Sequence, residues 1–185
     1  MSRRRSPISS PPGCCGWRRN SGRFCGSSRP RFRFDAERFD RFLGLLPRDS
    51  TAAAALAEHH DHRLTGRAWT KTERRRRLRH AVEIRHPSFL DPTFVRLLRR
   101  HNVALVFADA VDWPYAEDVT ADFLYLRLRR CAEEEPTGYP PEALDEWAER
   151  ARGWAAEGRD VFLYFINGAK VRAPAAAQAL IQRLT

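Results

Sequence analysis

Seven residues in or just after apolar segments of the sequence have side chains suited to binding a ligand or transferring a proton. Glu83 and Asp109 are carboxylates of the kind that act as general acids and bases or face a metal. Arginine side chains bind anions through a planar fork of donors. We therefore predict a pocket for a small-molecule or phosphorylated ligand, with catalytic residues Glu83 and Asp109 and ligand-binding residues Arg85, His86, Tyr125, Arg127 and Asn167.

The same charged residues have a second interpretation, as an interior ion-pair network. Glu83 would then serve only to neutralise Arg85 or Arg127, because a charge that is removed from water has to be paired. The sequence leaves both interpretations open.

Four short apolar segments carry these residues and have the length of average strands. They cover residues 80–86, 103–109, 122–128 and 160–166. Successive side chains of a strand point to opposite faces of a sheet. The leucines of the third segment therefore suit a helix layer and leave Tyr125 and Arg127 on the other face. By the same rule, Glu83 and Arg85 share the face opposite the apolar residues of the first segment.

Helical segments separate or follow these strands. Asp35 precedes a segment with Phe39 and Leu43 at helical spacing, and Asp91-Pro92 is a typical helix start. We predict helices from about residue 35 to 46, and at 51–60, 91–101, 141–157 and 174–184. The basic run at 73–79 is expected to be a solvated helix face.

Strands that alternate with helices are typical of a parallel sheet with helical crossovers. We therefore predict an α/β fold over residues 35–185, a partial TIM-like barrel of about four C-terminal β/α units. A complete barrel needs about 250 residues, so its N-terminal strands would be missing. Asp109 and Asn167 lie at the carboxyl ends of predicted strands, where barrel enzymes place their active sites.

Residues 1–34 differ from the rest of the chain in composition. The chain has a net charge of +10, from 33 Lys and Arg against 23 Asp and Glu. Nine of the arginines and none of the acids lie in 1–34, so the remainder is nearly neutral. The segment also holds three of the four cysteines and lacks hydrophobic periodicity, which indicates a disordered tail.

No apolar run follows the N-terminal arginines as a secretory signal would require, and no segment is long enough to cross a bilayer. We therefore expect a cytoplasmic protein without a membrane partner.

Motifs for a metal, a nucleotide or a nucleophile are weak or missing. The run His59-His60-Asp61-His62 lacks partners at metal-ligand spacing and indicates a polar helix end. Cys131 is a lone thiol, and Trp113-Pro114 favours loop packing over a stacking platform. The sequence has no Gly-rich phosphate loop and no nucleophile elbow. We predict no metal site, and the sequence identifies no cofactor.

Several strings, taken in order along the chain, resemble one family. They are residues 83–89 (EIRHPSF), the strand ending in Asp109 with Trp113-Pro114 after it, residues 120–128, residues 160–165 (DVFLYF) with Asn167, and residues 169–174 (AKVRAP). Together they are similar to the YecE-like family, catalogued as domain of unknown function 72. The resemblance begins at about Pro30. Members of that family resemble TIM barrels and their activity is not established, so the resemblance implies a fold more than a function.

The chain departs from the family pattern near the mouth of the predicted pocket. The family sequence after the third strand runs on to His-Gly, where Arg129 and Arg130 stand here. After the fourth strand it has Asp or Asn at the position of Ile166 and often Asp at that of Gly168. These differences weaken the inference of an inherited activity.

Residues 13–29 also carry a signal in a second reading frame. Translated back with GC-rich codons and read two nucleotides later, they give a peptide with leucines at helical spacing, a Gly-Pro break and an apolar run. That peptide is similar to the family segment expected just before Pro30. We hypothesise that residues up to about 29 are translated out of frame, through a frameshift or a sequencing error.

Three functional interpretations follow from the sequence. The intact protein would be a hydrolase or lyase acting on a small or phosphorylated ligand, of which this chain is a truncated form. Alternatively, the chain is a non-functional fragment of a decayed or frame-shifted gene, whose open sheet edges would favour self-association. Nucleic-acid binding through the basic tail ranks well below both.

Overall fold

A computed structural model of the protein describes residues 32–166 and 171–185 in full and the backbone of residues 23–27. Contacts within the chain define two compact units, one of residues 1–24 and 46–79 and the other of residues 25–45 and 80–185. Every candidate site residue that the structure describes belongs to the second unit. Asn167 lies outside the described residues.

A sheet whose strands lie in chain order forms the centre of the fold. Its strands are β1 (Arg23–Ser27), β2 (Arg79–Glu83), β3 (Val103–Asp109), β4 (Phe123–Leu128) and β5 (Asp160–Phe165). The pairs β2–β3, β3–β4 and β4–β5 are all parallel. The predicted α/β fold with a parallel sheet is therefore confirmed. Strand β2 ends three residues before its predicted end, because His86 already caps a short 3-10 turn at Pro87–Phe89.

Five α-helices lie in the described residues. They are α1 (Ala36–Leu45), α2 (Ser50–Glu58), α3 (Pro92–His101), α4 (Pro141–Ala156) and α5 (Ala173–Leu184). The ends of α3 follow directly from the sequence. The Asp91 carboxylate accepts a hydrogen bond from the Thr93 amide at 2.6 Å, and Asn102 adopts the left-handed conformation (φ 49°) that ends many helices. The helices predicted for these five segments are confirmed with small shifts at their ends.

The main apolar core lies between one face of the sheet and helices α4 and α5. Leu124, Leu126 and Leu128 are each at most 2% exposed there, and they pack in one cluster with Leu144 and Leu180 of the two helices. Fully burying a leucine side chain contributes roughly 1.5–3 kcal/mol, so the period-2 pattern of β4 decides which face receives the helices. The predicted sidedness of this strand is confirmed.

The opposite face of the sheet carries small apolar residues along β2 and β3. Ala81, Ala104, Val106 and Ala108 form a second buried cluster with Phe123. Small side chains in the middle of a sheet leave space above them, and longer polar residues on the flanking strands extend into that space. This face holds Glu83 and Arg127, which form the centre of the candidate site.

An aromatic cluster extends the packing to the segment before α1. The Phe34 ring lies 5.4 Å from the Phe89 ring and 5.5 Å from the Phe94 ring, measured between centroids. The Phe34 amide also donates a hydrogen bond to Ser88 Oγ at 2.8 Å. Packed residues therefore occur at the C-terminal end of the 1–34 segment, most of which lies outside the described residues.

The basic run at 73–79 is extended, and the prediction of a helix there is wrong. The Ser50 amide donates to the Arg76 carbonyl at 2.9 Å, and the Leu78 amide donates to the Arg48 carbonyl at 2.8 Å. A helix would direct the backbone groups of Arg76 and Leu78 to partners along its own axis, whereas the extended segment bonds them to residues 50 and 48.

Among the residues that the structure describes, no helix is both long enough and apolar enough to span a bilayer.

The connection from β3 to β4 spans residues 110–122 and contains no helix. Thr120, which is 5% exposed, binds this connection to strand β3. The Thr120 hydroxyl donates to the Val103 carbonyl and accepts from the Leu105 amide, both at 2.7 Å. One side chain therefore satisfies two backbone groups of β3.

Replacing Thr120 by valine should lower the free energy of unfolding by about 1–3 kcal/mol, because it leaves a buried donor and a buried acceptor unpaired. Urea titration measures this change. Thr120→Ser keeps the hydroxyl and should lose clearly less. An unchanged free energy of unfolding in Thr120→Val would contradict the role of the two hydrogen bonds.

Candidate functional site

Glu83 lies at the centre of the candidate site and has no exposed surface. Its Oε1 accepts from Arg85 Nη2 at 3.1 Å and from Arg85 Nε at 3.2 Å. Its Oε2 accepts from Arg127 Nη1 in a short contact. One buried carboxylate therefore holds two guanidinium groups, whose side chains remain 25% and 24% exposed.

The local sequence explains why these residues meet. Glu83 and Ala81 share a face of β2, and the register pairs Ala81 with Ala104 of β3. In turn, Ala108 of β3 pairs with Arg127 of β4. Strands two places apart in a sheet are separated by about 9–10 Å. Because β3 presents only small residues on this face, Arg127 can cross it and reach Glu83.

Trp113 brings a third arginine to this face. The guanidinium of Arg85 lies 4.0 Å from the centroid of the Trp113 ring, and that of Arg129 lies 3.8 Å from it. Cations within about 6 Å of an indole ring are attracted to its electron-rich face. We call Glu83, Arg85, Arg127, Arg129 and Trp113 the arginine cluster.

The charges of the arginine cluster are unequal, since it contains three guanidinium groups and one carboxylate. Burial lowers the pKa of Arg129, and the nearby charges of Arg127 and Arg85 lower it further, while Glu83 acts in the opposite direction. Like charges are thus held close together in partly desolvated surroundings. An added anion would relieve this repulsion and accept hydrogen bonds from the same donors.

Asp109 forms a second polar group at the carboxyl end of β3. Its Oδ1 lies 2.7 Å from Arg130 Nε, and its Oδ2 lies 3.5 Å from the Tyr139 hydroxyl. The Tyr139 hydroxyl also accepts from the Arg130 amide at 2.8 Å. Burial raises the pKa of Asp109, and it outweighs the opposing effects of Arg130 and Tyr139. A carboxyl group with a raised pKa is suited to proton transfer.

The two candidate carboxylates lie on different faces of the sheet. Ala108 belongs to the cluster on the Glu83 side, whereas Phe107 and Tyr139 belong to the core on the helix side. Asp109 alternates with Ala108 and contacts Tyr139, so its carboxylate points toward the helix side. The structure therefore does not bring Glu83 and Asp109 into one carboxylate pair.

The remaining predicted ligand-binding residues have different positions. His86 Nδ1 lies 2.8 Å from Ser88 Oγ and 3.1 Å from the Ser88 amide, so this side chain caps the turn after β2. Tyr125 lies on the same face as Arg127, and its ring stacks on Tyr164 with a centroid separation of 5.0 Å.

The sequence did not predict Arg129, Arg130 and Tyr139 as site residues, although the structure places them at these groups. It assigned Trp113 to loop packing over a stacking platform, whereas the guanidinium groups of Arg85 and Arg129 lie over the Trp113 ring. The sequence could have identified Arg129, because residues two apart along a strand share a face and Arg127 was already assigned to this one. Tyr139 had no local signal, since its contact with Asp109 joins residues thirty positions apart.

In the ranges 32–166 and 171–185, no group of three or more His, Cys, Asp or Glu side chains is arranged to hold a metal. The His59 to His62 segment fits its interpretation as a polar helix end, since α2 ends at Glu58 and Asp61 caps a following 3-10 turn. Cys131 is a buried free thiol.

Comparison with known proteins gives a family and a fold. A family model described as "Protein of unknown function DUF72" matches residues 28–185. Two crystal structures of a DUF72 family protein from Enterococcus faecalis superpose with TM-scores of 0.54 and 0.55 at 15% and 16% sequence identity. These alignments cover 86% and 87% of this chain but 58% and 57% of those chains.

A DUF72 family protein from Thermotoga maritima is also similar, with 18% identity, a TM-score of 0.48, and coverage of 86% of this chain and 55% of that chain. No curated protein matches the sequence. The chain thus spans somewhat more than half the length of the solved structures that it matches.

Glu83→Gln should lower the free energy of unfolding by about 3 kcal/mol, because it removes the carboxylate that neutralises two partly buried arginines. Chemical denaturation measures the loss. Glu37→Gln is the matched control, since Glu37 forms a 3.0 Å ion pair with Arg41 at the surface, where both side chains are more than 70% exposed. The unfolding midpoint of that variant should barely change. A similar small effect in Glu83→Gln would contradict the structural role of the buried ion pair.

Asp109 should give the stability a specific pH dependence. Its folded-state pKa lies above the ordinary value of 3.8, so its contribution is fully present below that value and is lost as the pH rises through the folded-state pKa. Asp109→Asn removes this loss. The stability of the variant relative to the parent should therefore rise across that window, as measured by urea unfolding at a series of pH values.

Arg130→Gln provides the companion experiment. It removes the cation that lowers the pKa of Asp109, so the pH window should move upward. A stability difference between Asp109→Asn and the parent that does not change with pH would show that Asp109 is not perturbed by burial.

Proposed function

Because the chain belongs to the DUF72 family of proteins of unknown function, we propose a function from its candidate site: the arginine cluster binds the anionic group of a small ligand. The observation that carries the proposal is the convergence of Arg85 and Arg127 on the single buried carboxylate of Glu83, with the guanidinium of Arg129 beside that of Arg85 on the Trp113 ring. Such a site favours phosphate or carboxylate groups, whose oxygens match the guanidinium fork.

Within this proposal, Glu83 is a positioning residue. Both of its oxygens accept from arginines, and this arrangement holds Arg85 and Arg127 in fixed positions before a ligand binds. Preorganised donors lose little conformational freedom on binding. Arg127 and Arg129 then supply the donors for the anion, and Trp113 limits the movement of Arg129.

Asp109 is the residue that we propose for acid–base chemistry, in a protein that acts as a hydrolase or lyase on a small or phosphorylated ligand. Its burial-raised pKa supports this role. Arg130, which follows Arg129 directly, links the Asp109 group to the arginine cluster through the end of β4. His86 and Asn167 stay predictions as ligand-binding residues.

We also propose that the sheet is part of a TIM-like barrel. Parallel strands in chain order, with α4 and α5 packed on one face, support this architecture. The polar groups then lie at the carboxyl ends of the strands, where barrel enzymes bind their substrates. The activity of the whole protein is a proposal too, since the chain covers 57–58% of the Enterococcus structures.

Titration with inorganic phosphate, followed by calorimetry, tests anion binding directly. Arg129→Gln should weaken phosphate binding on the order of tenfold, because a charge-assisted hydrogen bond is worth about 1.5–3 kcal/mol. Arg41→Gln removes an exposed arginine of α1 and should leave the affinity unchanged. Increasing the salt concentration should weaken binding in the parent more than in Arg129→Gln.

The absence of saturable phosphate binding by the parent chain would overturn this proposal. So would equal affinity in the parent and in Arg129→Gln. Circular dichroism of each variant checks that the fold is retained.

A further inference from the structure

We propose that the ligand of the arginine cluster carries a planar aromatic ring next to its anionic group, and that this ring stacks on Tyr164. The inference rests on the anion-binding function proposed above and specifies the class of ligand. It follows from the residues that adjoin Arg127 on the sheet.

Tyr164 is the direct neighbour of Arg127 on the adjacent strand. The register of β4 and β5 pairs Arg127 with Tyr164 and Tyr125 with Phe162. Directly paired residues on neighbouring strands are about 5 Å apart and project from the same face. An anionic group bonded directly to a ring can therefore reach Arg127 while the ring lies on Tyr164.

The ring of Tyr164 is part of a preformed aromatic surface. It stacks on Tyr125 with an interplanar angle of 26° and a centroid separation of 5.0 Å. Further along the same two strands, Phe123 and Phe162 form an edge-to-face pair at 6.0 Å. The aromatic residues thus run along β4 and β5 and end at the arginine.

Exposure distinguishes Tyr164 from the rest of this surface. Tyr164 is 39% exposed, whereas Phe123 is 1% exposed. Tyr125 supports the Tyr164 ring from one side, so the ring is held in place while part of it remains accessible. Aromatic rings stack on such a surface with little loss of side-chain freedom, and offset stacking adds to the stabilisation from area burial alone.

Charge and aromatic surface together define the ligand class. A small inorganic anion would use the guanidinium groups of Arg127 and Arg129 only. An aryl phosphate or aryl carboxylate would use these groups and the Tyr164 ring at the same time. The structure therefore predicts a preference for ring-bearing anions over alkyl anions of equal charge.

Calorimetric titration of the full chain with phenyl phosphate and with methyl phosphate tests the inference. Phenyl phosphate should bind on the order of tenfold more tightly to the parent. Tyr164→Leu should abolish most of this preference and leave the affinity for methyl phosphate unchanged. Tyr164→Phe keeps the ring and should keep the preference. Phe42→Leu replaces another exposed aromatic side chain, on α1, and should behave as the parent does.

The outcomes separate the two proposals. If the parent binds both phosphates with equal affinity, or if Tyr164→Leu weakens both to the same degree, the aromatic inference is overturned while anion binding stands. If the parent binds neither of these compounds nor inorganic phosphate, the anion-binding proposal fails and the inference fails with it. A preference that Tyr164→Leu alone removes supports both.

Discussion

The buried carboxylate of Glu83 fixes the geometry on which the rest of the candidate site depends. A carboxylate without exposed surface requires cations beside it, because an unpaired buried charge costs several kcal/mol. Arg85, two residues after the end of β2, and Arg127 of β4 meet this requirement, and these two strands are not adjacent. The small side chain of Ala108 on the intervening strand makes the contact possible. The ion pairs thereby connect two strands and hold two guanidinium groups in fixed positions.

The sheet separates this polar cluster from the apolar core. Leucines of β4 face helices α4 and α5, while Tyr125 and Arg127 face the other side. The core therefore stabilises the strands without approaching the charged groups. The connection between β3 and β4 contains no helix. Thr120 binds it to the backbone of β3 through two hydrogen bonds, and its Trp113 ring packs against the guanidinium groups of Arg85 and Arg129. The apolar core and the arginine cluster thus use opposite faces of the same strands.

The pair Arg129-Arg130 links the two polar groups of the site. Arg129 packs on Trp113 in the arginine cluster, and Arg130 pairs with Asp109 on the helix side. The YecE-like pattern has His-Gly at these positions, so this chain brings more positive charge to the end of β4 than the resemblance implies. That charge is consistent with an anionic ligand. The guanidinium of Arg130 also lowers the pKa of Asp109, against the effect of burial.

The sequence by itself determined the parallel α/β fold and the sidedness of β4, because alternation along a strand is a local property with a period of two residues. It also placed Glu83 and Arg85 on one face. It failed at residues 73–79, where backbone hydrogen bonds to residues 48–50 decide the conformation. Only the tertiary structure decided that Arg127 reaches Glu83 across Ala108, and that Asp109 points away from both. Such contacts depend on strand register and on the size of intervening side chains, which no local pattern encodes.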